Sequence, residues 1–305
     1  ASTSVLVLAA PNNCTDCWWG STRPDSNTMQ SKRLKNVSHS VWGAFFFVWI
    51  VLLSGLSHGE PSTECQLSAA QLAALPQARV ERVSDGDTVV FANGDKVRLL
   101  GVNTPERSGR YNPVDEPLAA EAKQSVEQWL AASASQVYYR TGANPRDRYQ
   151  RLLAALYDRS GNSLAAYLVG QGLGWQITFV PDDWAAECLA NAERTAREQR
   201  RGIWAGGLYP PVRVNAIAQG GFARIIGTVT QLNLQQSNHT LSGRAQLIVD
   251  GKLTVQLSKA VAEQFAVDDF VNLKQRTVEL RGWLSRRGKD WQLRLTSRYN
   301  LLRLD

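Results

Sequence analysis

Hydrophobic and polar residues alternate in short runs along much of this 305-residue chain, a pattern typical of half-buried β-strands. Between residues 79 and 106 the alternation predicts three consecutive strands. An Asp-Gly-Asp sequence at 85–87 and an Asn-Gly sequence at 93–94 separate them, and both favour tight turns. A polar loop at 103–106 follows the third strand. The sequence therefore predicts a β-meander in which three strands are neighbours.

The hydrophobic spacing then changes to that of a helix at 118–132, where every fourth residue is apolar. Two more strands are predicted at 136–140 and 152–157. A second helix is expected at 164–171, because Ser163 can cap its start and Gly172 can end it. A last helix follows, with Asp182 or Asp183 as its cap. Five strands and three helices predict a small barrel that carries helices.

Glycine and proline are concentrated at 206–211, which indicates a linker. Beyond it, strand-like alternation returns in five segments, with one helix predicted at 259–265. This order is similar to that of a second barrel of the oligonucleotide-binding (OB) type. The predicted strands of this part are 223–232, 244–249, 253–257, 277–284 and 291–295.

Charge and cysteine content limit the classes of function. The formal net charge is +7, which suits a polyanionic partner such as nucleic acid or an acidic surface. The chain has 4 cysteines and 3 histidines, too few for a clustered zinc site apart from a lone Cys-x-x-Cys at 14–17.

The N-terminal region has the pattern of a secretory signal. A basic segment follows Met29, an apolar run occupies 41–53, and small residues come next. The run is shorter than the roughly 20 residues of a membrane-spanning helix. We expect 1–28 to be an upstream extension, 29–59 a signal peptide and 60–77 a lead segment. The protein would then be periplasmic or secreted, without a stable membrane partner; the alternative is an anchor at 41–57.

Removal of such a signal would leave Cys65 and Cys188 as the cysteines of the mature chain. An exported protein with two cysteines favours a disulfide. Two separate thiols, with Cys188 in the core, are the alternative.

Candidate chemistry is concentrated on the predicted meander. Oxygen-bearing side chains and one guanidinium group would converge if its strands are neighbours. Such a set can hold a hard cation beside an anionic phosphate. The residues are Asp87, Arg98, Asn103, Thr104 and Glu106.

Four pieces of the chain resemble the staphylococcal nuclease family. They are Asp-Gly-Asp-Thr at 85–88, Val-Arg-Leu-Leu-Gly-Val-Asn-Thr-Pro-Glu at 97–106, Asp-Arg-Tyr-Gln-Arg at 147–151, and a Gly-Gln-Gly-Leu turn at 170–173 followed by a closing helix that ends near 204. Together they span about 79–204. The resemblance implies an OB-like, five-stranded barrel with three helices at 78–206. A linker at 207–214 and a second OB-like barrel at 215–305 would follow.

The resemblance also implies roles for individual residues. Asp87, Asn103 and the backbone carbonyl of Thr104 would bind Ca²⁺. Glu106 would orient or deprotonate the attacking water, and Arg98 and Arg151 would hold the phosphate. The family commonly has aspartate where this chain has Asn103, so we expect weaker Ca²⁺ binding.

The resemblance implies aromatic side chains that stack on the substrate base, and the candidates for them are Trp175 and Phe179. Tyr149 either contacts the substrate or packs against the protein. In the second barrel, Trp283 and Trp291 are either core residues or, with cations such as Arg281, part of a nucleic-acid surface. The overall expectation is an exported, monomeric, Ca²⁺-dependent nuclease of DNA and RNA with low sequence specificity and 3′-phosphate products. The alternative is a nucleic-acid-binding protein that has lost turnover.

Overall fold

The computed structural model describes residues 65–108, 113–234, 236–237, 240–241 and 243–305. The expected extension at 1–28, the signal or anchor at 29–59 and the start of the lead segment lie outside these residues. Within the described ranges, no helix is both long and apolar enough to span a membrane.

The described residues between 65 and 204 contain seven strands and four α-helices. The strands are β1 (Gln77–Asp85), β2 (Thr88–Phe91), β3 (Lys96–Leu99), β4 (Gly101–Asn103), β5 (Gln136–Arg146), β6 (Leu152–Tyr157) and β7 (Trp175–Ile177). The helices are α1 (Ala69–Ala73), α2 (Ala119–Ala131), α3 (Leu164–Gly170) and α4 (Ala186–Glu198).

Five of these strands close into a barrel in the order β1-β2-β3-β6-β5. The first three form the predicted antiparallel meander, and β3 then pairs in parallel with β6. The prediction of a five-stranded barrel with helices is confirmed. Its core is aliphatic, because the inward positions of the strands and one face of α2 and α3 meet there.

The third predicted strand is in fact two. The ladder of β3 ends at Leu99, and β4 leaves the barrel to pair with β7. Gly101 has a φ of +88°, a conformation that favours glycine. A Cβ on it would lie 2.6 Å from Leu189 Cδ1. The break between β3 and β4 therefore requires glycine at position 101. It lets β4, which ends at Asn103, pair with β7 outside the barrel.

Predictions for the helix caps are partly wrong. Ser163 caps α3, since its Oγ accepts a hydrogen bond from the Ala166 amide at 3.3 Å. However, α4 begins after Ala185 without a side-chain cap. Asp182 instead accepts a hydrogen bond from the Ala143 amide at 2.7 Å. A tertiary contact with the end of β5 therefore replaces the predicted cap.

The described residues between 212 and 305 contain a second barrel. The strands of this part are β8 (Val212–Arg213), β9 (Gly221–Asn233), β10 (Gln236–Ser237), β11 (Thr240–Leu241), β12 (Ala245–Val249), β13 (Leu253–Leu257), β14 (Thr277–Arg287), β15 (Asp290–Leu295) and β16 (Leu301–Arg303). Of these, β10 and β11 form a separate two-stranded sheet. Two short helices, α5 (Lys259–Ala262) and α6 (Val267–Val271), replace the single predicted helix. Five strands close in the order β9-β12-β13-β15-β14, because β14 also pairs with β9.

Buried ion pairs join the two barrels. Glu279 of β14 accepts hydrogen bonds from Arg224 of β9 and from Arg197 of α4. Arg281 of β14 donates to Glu193 of α4 at 2.6 Å. The expectation that Arg281 contributes to a nucleic-acid surface is wrong, because it is 3% exposed and paired within the protein. Its guanidinium group instead stabilises the contact between the two barrels.

A disulfide links Cys65, just before the first barrel, to Cys188 on α4. The two cysteines are therefore bonded to each other in the structure and are not separate thiols. The bond fastens the last helix of the first barrel to the segment that precedes β1, across a sequence separation of 123 residues.

Candidate active site

Strand pairing brings the predicted site residues together. Thr88 lies opposite Arg98 in the β2–β3 pair, so Asp87 at the start of β2 is beside Arg98. Leu152 of β6 lies opposite Val97 of β3. Arg151, which immediately precedes β6, is therefore near the same end of β3.

Asp87, Arg98 and Asn103 form one hydrogen-bonded group. The Arg98 Nη2 atom lies 2.8 Å from Asn103 Oδ1 and 3.0 Å from Asp87 Oδ2. Arg98 Nη1 donates to the carbonyls of Leu99 and Val102, both at 2.8 Å. With four partners, the guanidinium is held rigidly, and it draws the carboxylate and the amide oxygen towards one point.

The loop after β4 is packed tightly against the first turn. The Thr104 amide donates to Asp87 Oδ2 at 3.0 Å. A Cβ on Gly86 would lie 2.7 Å from Thr104 Oγ1 and 2.8 Å from the Ala122 Cβ. Glycine is thus required at this position, because any side chain would push the loop away from Asp87.

Glu106 projects from this loop beside two other carboxylates. Reduced solvation of its carboxyl group and the negative charges of Asp87 and Asp85 raise the pKa of Glu106 to about 7. Burial and the charge of Asp87 also raise the pKa of Asp85. Crowded carboxylates of this kind favour either a proton or a cation between them.

Arg151 is positioned by Asp147. The Arg151 Nε donates to Asp147 Oδ2 at 2.8 Å, and the Arg151 and Tyr149 amides donate to Asp147 Oδ1. These bonds from Arg151 and Tyr149 outweigh partial burial and lower the pKa of Asp147. Asp147 therefore stays charged and orients Arg151, while the remaining guanidinium nitrogens of Arg151 can still bind a ligand.

The predicted residues line a cleft of ≈ 490 Å³. Its first wall contains Arg98, Asn103, Glu106 and Arg151, and its second wall comes from the second barrel and the chain that leads to it. Trp175 also lines it, although its side chain is buried. Asp87 does not line the cleft, since it lies behind Arg98 with 3% exposure.

A second cavity, of ≈ 580 Å³, also borders the two arginines. Arg98 and Arg151 line both cavities, and so does Trp283. Tyr149 and Phe179 line only the second one. The three predicted substrate contacts are thus divided, with Trp175 in the first cavity and the other two in the second.

Sequence reasoning missed the contribution of the second barrel to the first cleft. Trp283, for which a core and a surface position were both left open by the sequence, lines the cleft as an exposed residue. Three residues that were not predicted also line it: Tyr209, Phe222 and Arg224. No local pattern could have identified them, because their place depends on how one barrel packs against the other.

The donor atoms suit a hard divalent cation. Asp87 and Asn103 offer side-chain oxygens that converge on one guanidinium nitrogen, and oxygen is the ligand that Ca²⁺ prefers. The buried Thr104 hydroxyl has no hydrogen-bond partner in the described part of the chain. Among the described residues, no cluster of three Asp, Glu, His or Cys side chains forms a metal site. Any cation here would therefore depend on amide and backbone oxygens as well as on Asp87.

Comparison with known proteins agrees with this architecture. The chain matches the family described as staphylococcal nuclease homologue over residues 96–206. An uncharacterized protein of Methanocaldococcus jannaschii is 31% identical over 147 residues, which covers 41% of this chain and 70% of the relative. The thermonuclease of Staphylococcus intermedius is 28% identical over 128 residues, covering 41% and 74%. An uncharacterized endonuclease of Escherichia coli O157:H7 is 29% identical over 129 residues, covering 41% and 75%.

The family match covers residues 96–206, which belong to the first barrel and its closing helix and include Arg98, Asn103, Glu106 and Arg151. These matches support nuclease activity on a nucleic-acid substrate. From the matched segment, the closed barrel and the arginine-lined cleft, we conclude that the chain belongs to the family of staphylococcal nuclease homologues.

Proposed function

We propose that the protein is a Ca²⁺-dependent endonuclease that hydrolyses DNA and RNA with low sequence specificity and leaves 3′-phosphate ends. The observation that carries the proposal is the shared cleft: Arg98, Arg151 and Glu106 line one cavity. A phosphodiester in that cavity could contact both guanidinium groups and the carboxylate at once.

Each residue has a distinct task in this proposal. The guanidinium groups of Arg98 and Arg151 bind phosphate oxygens and offset the negative charge that builds up in the transition state. Glu106 accepts a proton from the water that attacks phosphorus. The bond from phosphorus to the 5′ oxygen breaks, and this oxygen takes up a proton from solvent, which leaves a 3′-phosphate and a 5′-hydroxyl.

Asp87, Asn103 and the backbone carbonyl of Thr104 would hold Ca²⁺ beside the phosphate. A bound cation at this position supplies positive charge to the phosphoryl oxygens and helps to position the water. Asp87 is buried and already held by Arg98 and the Thr104 amide, so its carboxylate is oriented in advance.

Export is part of the proposal. The basic and apolar pattern at 29–59 is that of a signal peptide. The Cys65–Cys188 disulfide is the kind of bond that persists in the periplasm or outside the cell. We also propose that the mature protein acts as a monomer, with a nuclease domain at 78–206 and a second domain at 215–305.

A cleavage assay tests the function directly. Purified protein would be incubated with DNA or RNA in the presence of Ca²⁺ or EDTA, alongside Glu106→Gln. We expect Ca²⁺-dependent cleavage, and a loss of about 10²–10⁴-fold in the variant. Mass spectrometry of the products should find 3′-phosphates. Nucleic-acid binding without cleavage would instead favour the alternative of a binding protein that has lost turnover.

A further inference from the structure

Five aromatic rings form a continuous row along the cleft. Ring centroids are 4.8 Å apart for Tyr209 and Trp175, and 5.3 Å apart for Trp175 and Phe222. They are 5.2 Å apart for Phe222 and Trp283, and 5.8 Å apart for Trp283 and Phe179. The row therefore contains residues of both barrels and of the chain between them.

The row follows the two arginines from one cavity to the other. Tyr209, Trp175 and Phe222 line the first cavity, Phe179 lines the second, and Trp283 lines both. Arg98 and Arg151 also line both cavities. A strand whose phosphate contacts the arginines would thus have aromatic side chains beside the nucleotides on either side of it.

The exposed end of the row differs from its buried end. Trp175 is 4% exposed, so packing explains its position. Trp283 and Phe179 are 42% and 37% exposed, although large aromatic side chains usually gain free energy from burial. Phe222 lies directly opposite Trp283 in the β9–β14 pair and is half-buried. Packing between the barrels does not account for the free ring surface at this end.

We propose that Phe222 and Trp283 of the second barrel, with Phe179, form a stacking subsite for an unpaired base next to the phosphate that the arginines bind. This proposal deepens the proposed nuclease function and depends on it for the position of the phosphate. Bases in a duplex cover each other's faces, whereas unpaired bases can stack on aromatic side chains. The second barrel therefore adds a contact that a single strand can make and a duplex cannot.

Binding measurements separate this subsite from catalysis. Fluorescence anisotropy with a labelled single-stranded oligonucleotide, and with its duplex, would be recorded in EDTA on the full chain. We expect the single strand to bind more tightly. Trp283→Leu and Phe222→Leu should each weaken single-strand binding about tenfold, because each removes a ring on which a base can stack. Duplex binding should change less.

Trp291→Leu is the matched control. Trp291 lies on β15 of the same barrel and lines neither cavity, so its loss should leave the single-strand affinity unchanged. Trp283→Phe keeps an aromatic ring and should restore most of the affinity lost in Trp283→Leu. Circular dichroism would check that each variant is folded.

Two results would contradict the proposal of a stacking subsite. One is equal affinity of the wild-type protein for the single strand and the duplex. The other is single-strand binding by a folded Trp283→Leu that matches wild type. Failure of the nuclease proposal would have a different signature, namely no cleavage with Ca²⁺ while the binding differences remain.

Discussion

In the first barrel, β3 runs parallel to β6, and β1 pairs with β5 to close the barrel. In the second barrel, β13 runs parallel to β15, and β9 pairs with β14 to close it. In both, helices lie between the third and fourth strands of the barrel. The strand corresponding to β3 in the second barrel, β13, has the sequence Leu-Thr-Val-Gln-Leu and carries no charge. The same strand order therefore carries a charged site in the first barrel and none on the corresponding strand of the second, because function depends on side chains and not on strand order.

The second barrel uses its charges and aromatic residues differently. Arg224, Glu279 and Arg281 are paired with α4 of the first barrel or with each other. Its exposed aromatic residue, Trp283, faces the cleft of its neighbour. The difference suggests that the second barrel supports the first and extends its substrate surface, while the chemistry stays in the first.

Arg281→Met should have the largest effect on stability, because it removes a buried ion pair between the two barrels. It would leave the buried Glu193 without its closest cation, and we expect the free energy of unfolding to fall by about 3–5 kcal/mol. Urea denaturation followed by circular dichroism measures the change. Arg286→Met is the matched control, because Arg286 is exposed on the same strand and its loss should cost less than about 0.5 kcal/mol. Equal stability of both variants would mean that the ion pairs do not hold the barrels together.

Acid should weaken the same contact. Burial alone would raise the pKa of Glu279, but hydrogen bonds from Arg224 and Arg197 outweigh it and lower the pKa to about 2. The carboxylate therefore stabilises the fold fully above its unfolded pKa near 4.5, and this stability is lost as the pH falls towards 2. The loss should amount to about 3 kcal/mol. Denaturation at several pH values would measure it, and Glu279→Gln should make the dependence shallower over this range.

Reduction of the disulfide concerns the first barrel alone. The Cys65–Cys188 bond restricts the unfolded chain over a separation of 123 residues. Cys65→Ser combined with Cys188→Ser should lower the free energy of unfolding by about 2–4 kcal/mol. Adding dithiothreitol should destabilise the wild-type protein by a similar amount and leave the double variant unaffected. A wild-type protein indifferent to the reductant would contradict the expected contribution.

Arg98→Lys tests whether the catalytic group belongs to the first barrel. Lysine cannot make the four contacts that hold the guanidinium in place beside the proposed phosphate site, so kcat should fall about 100-fold. Arg294→Lys is the counterpart in the second barrel, where the residue is exposed on β15 and should be neutral. Thermal melts of both variants would distinguish lost chemistry from lost folding. A similar decrease of kcat in both variants would contradict the assignment of the catalytic group to the first barrel.

The smallest expected effect is that of Asn103→Asp. A second carboxylate beside Asp87 adds negative charge to the proposed cation site, and Ca²⁺ affinity rises with ligand charge. We expect binding about tenfold tighter, or about 1.4 kcal/mol, by isothermal titration calorimetry. An unchanged affinity would indicate that Asn103 does not bind the ion.

The sequence by itself determined the local structure and the grouping of chemistry in the first barrel. Alternation predicted the strands, and β6 and β13 have the predicted bounds. A turn that starts at Asp158 follows β6, and an Asp-Gly turn at 250–251 precedes β13. Asp87, Arg98 and Glu106 could be grouped because short turns join their segments, so neighbours in sequence become neighbours in space. The wrong cap of α4 came from the same local reasoning, since Asp182 forms a contact with Ala143 that is distant in sequence.

Only the tertiary structure decided what the second barrel does. Arg281 and Trp283 are two residues apart on one strand, yet one is buried in an ion pair and the other is exposed at the cleft. Local pattern could not distinguish them, because both outcomes depend on how α4 and the first barrel pack against β14. Burial, and with it the role of each charge and ring, is a property of the contact between barrels and not of either segment alone.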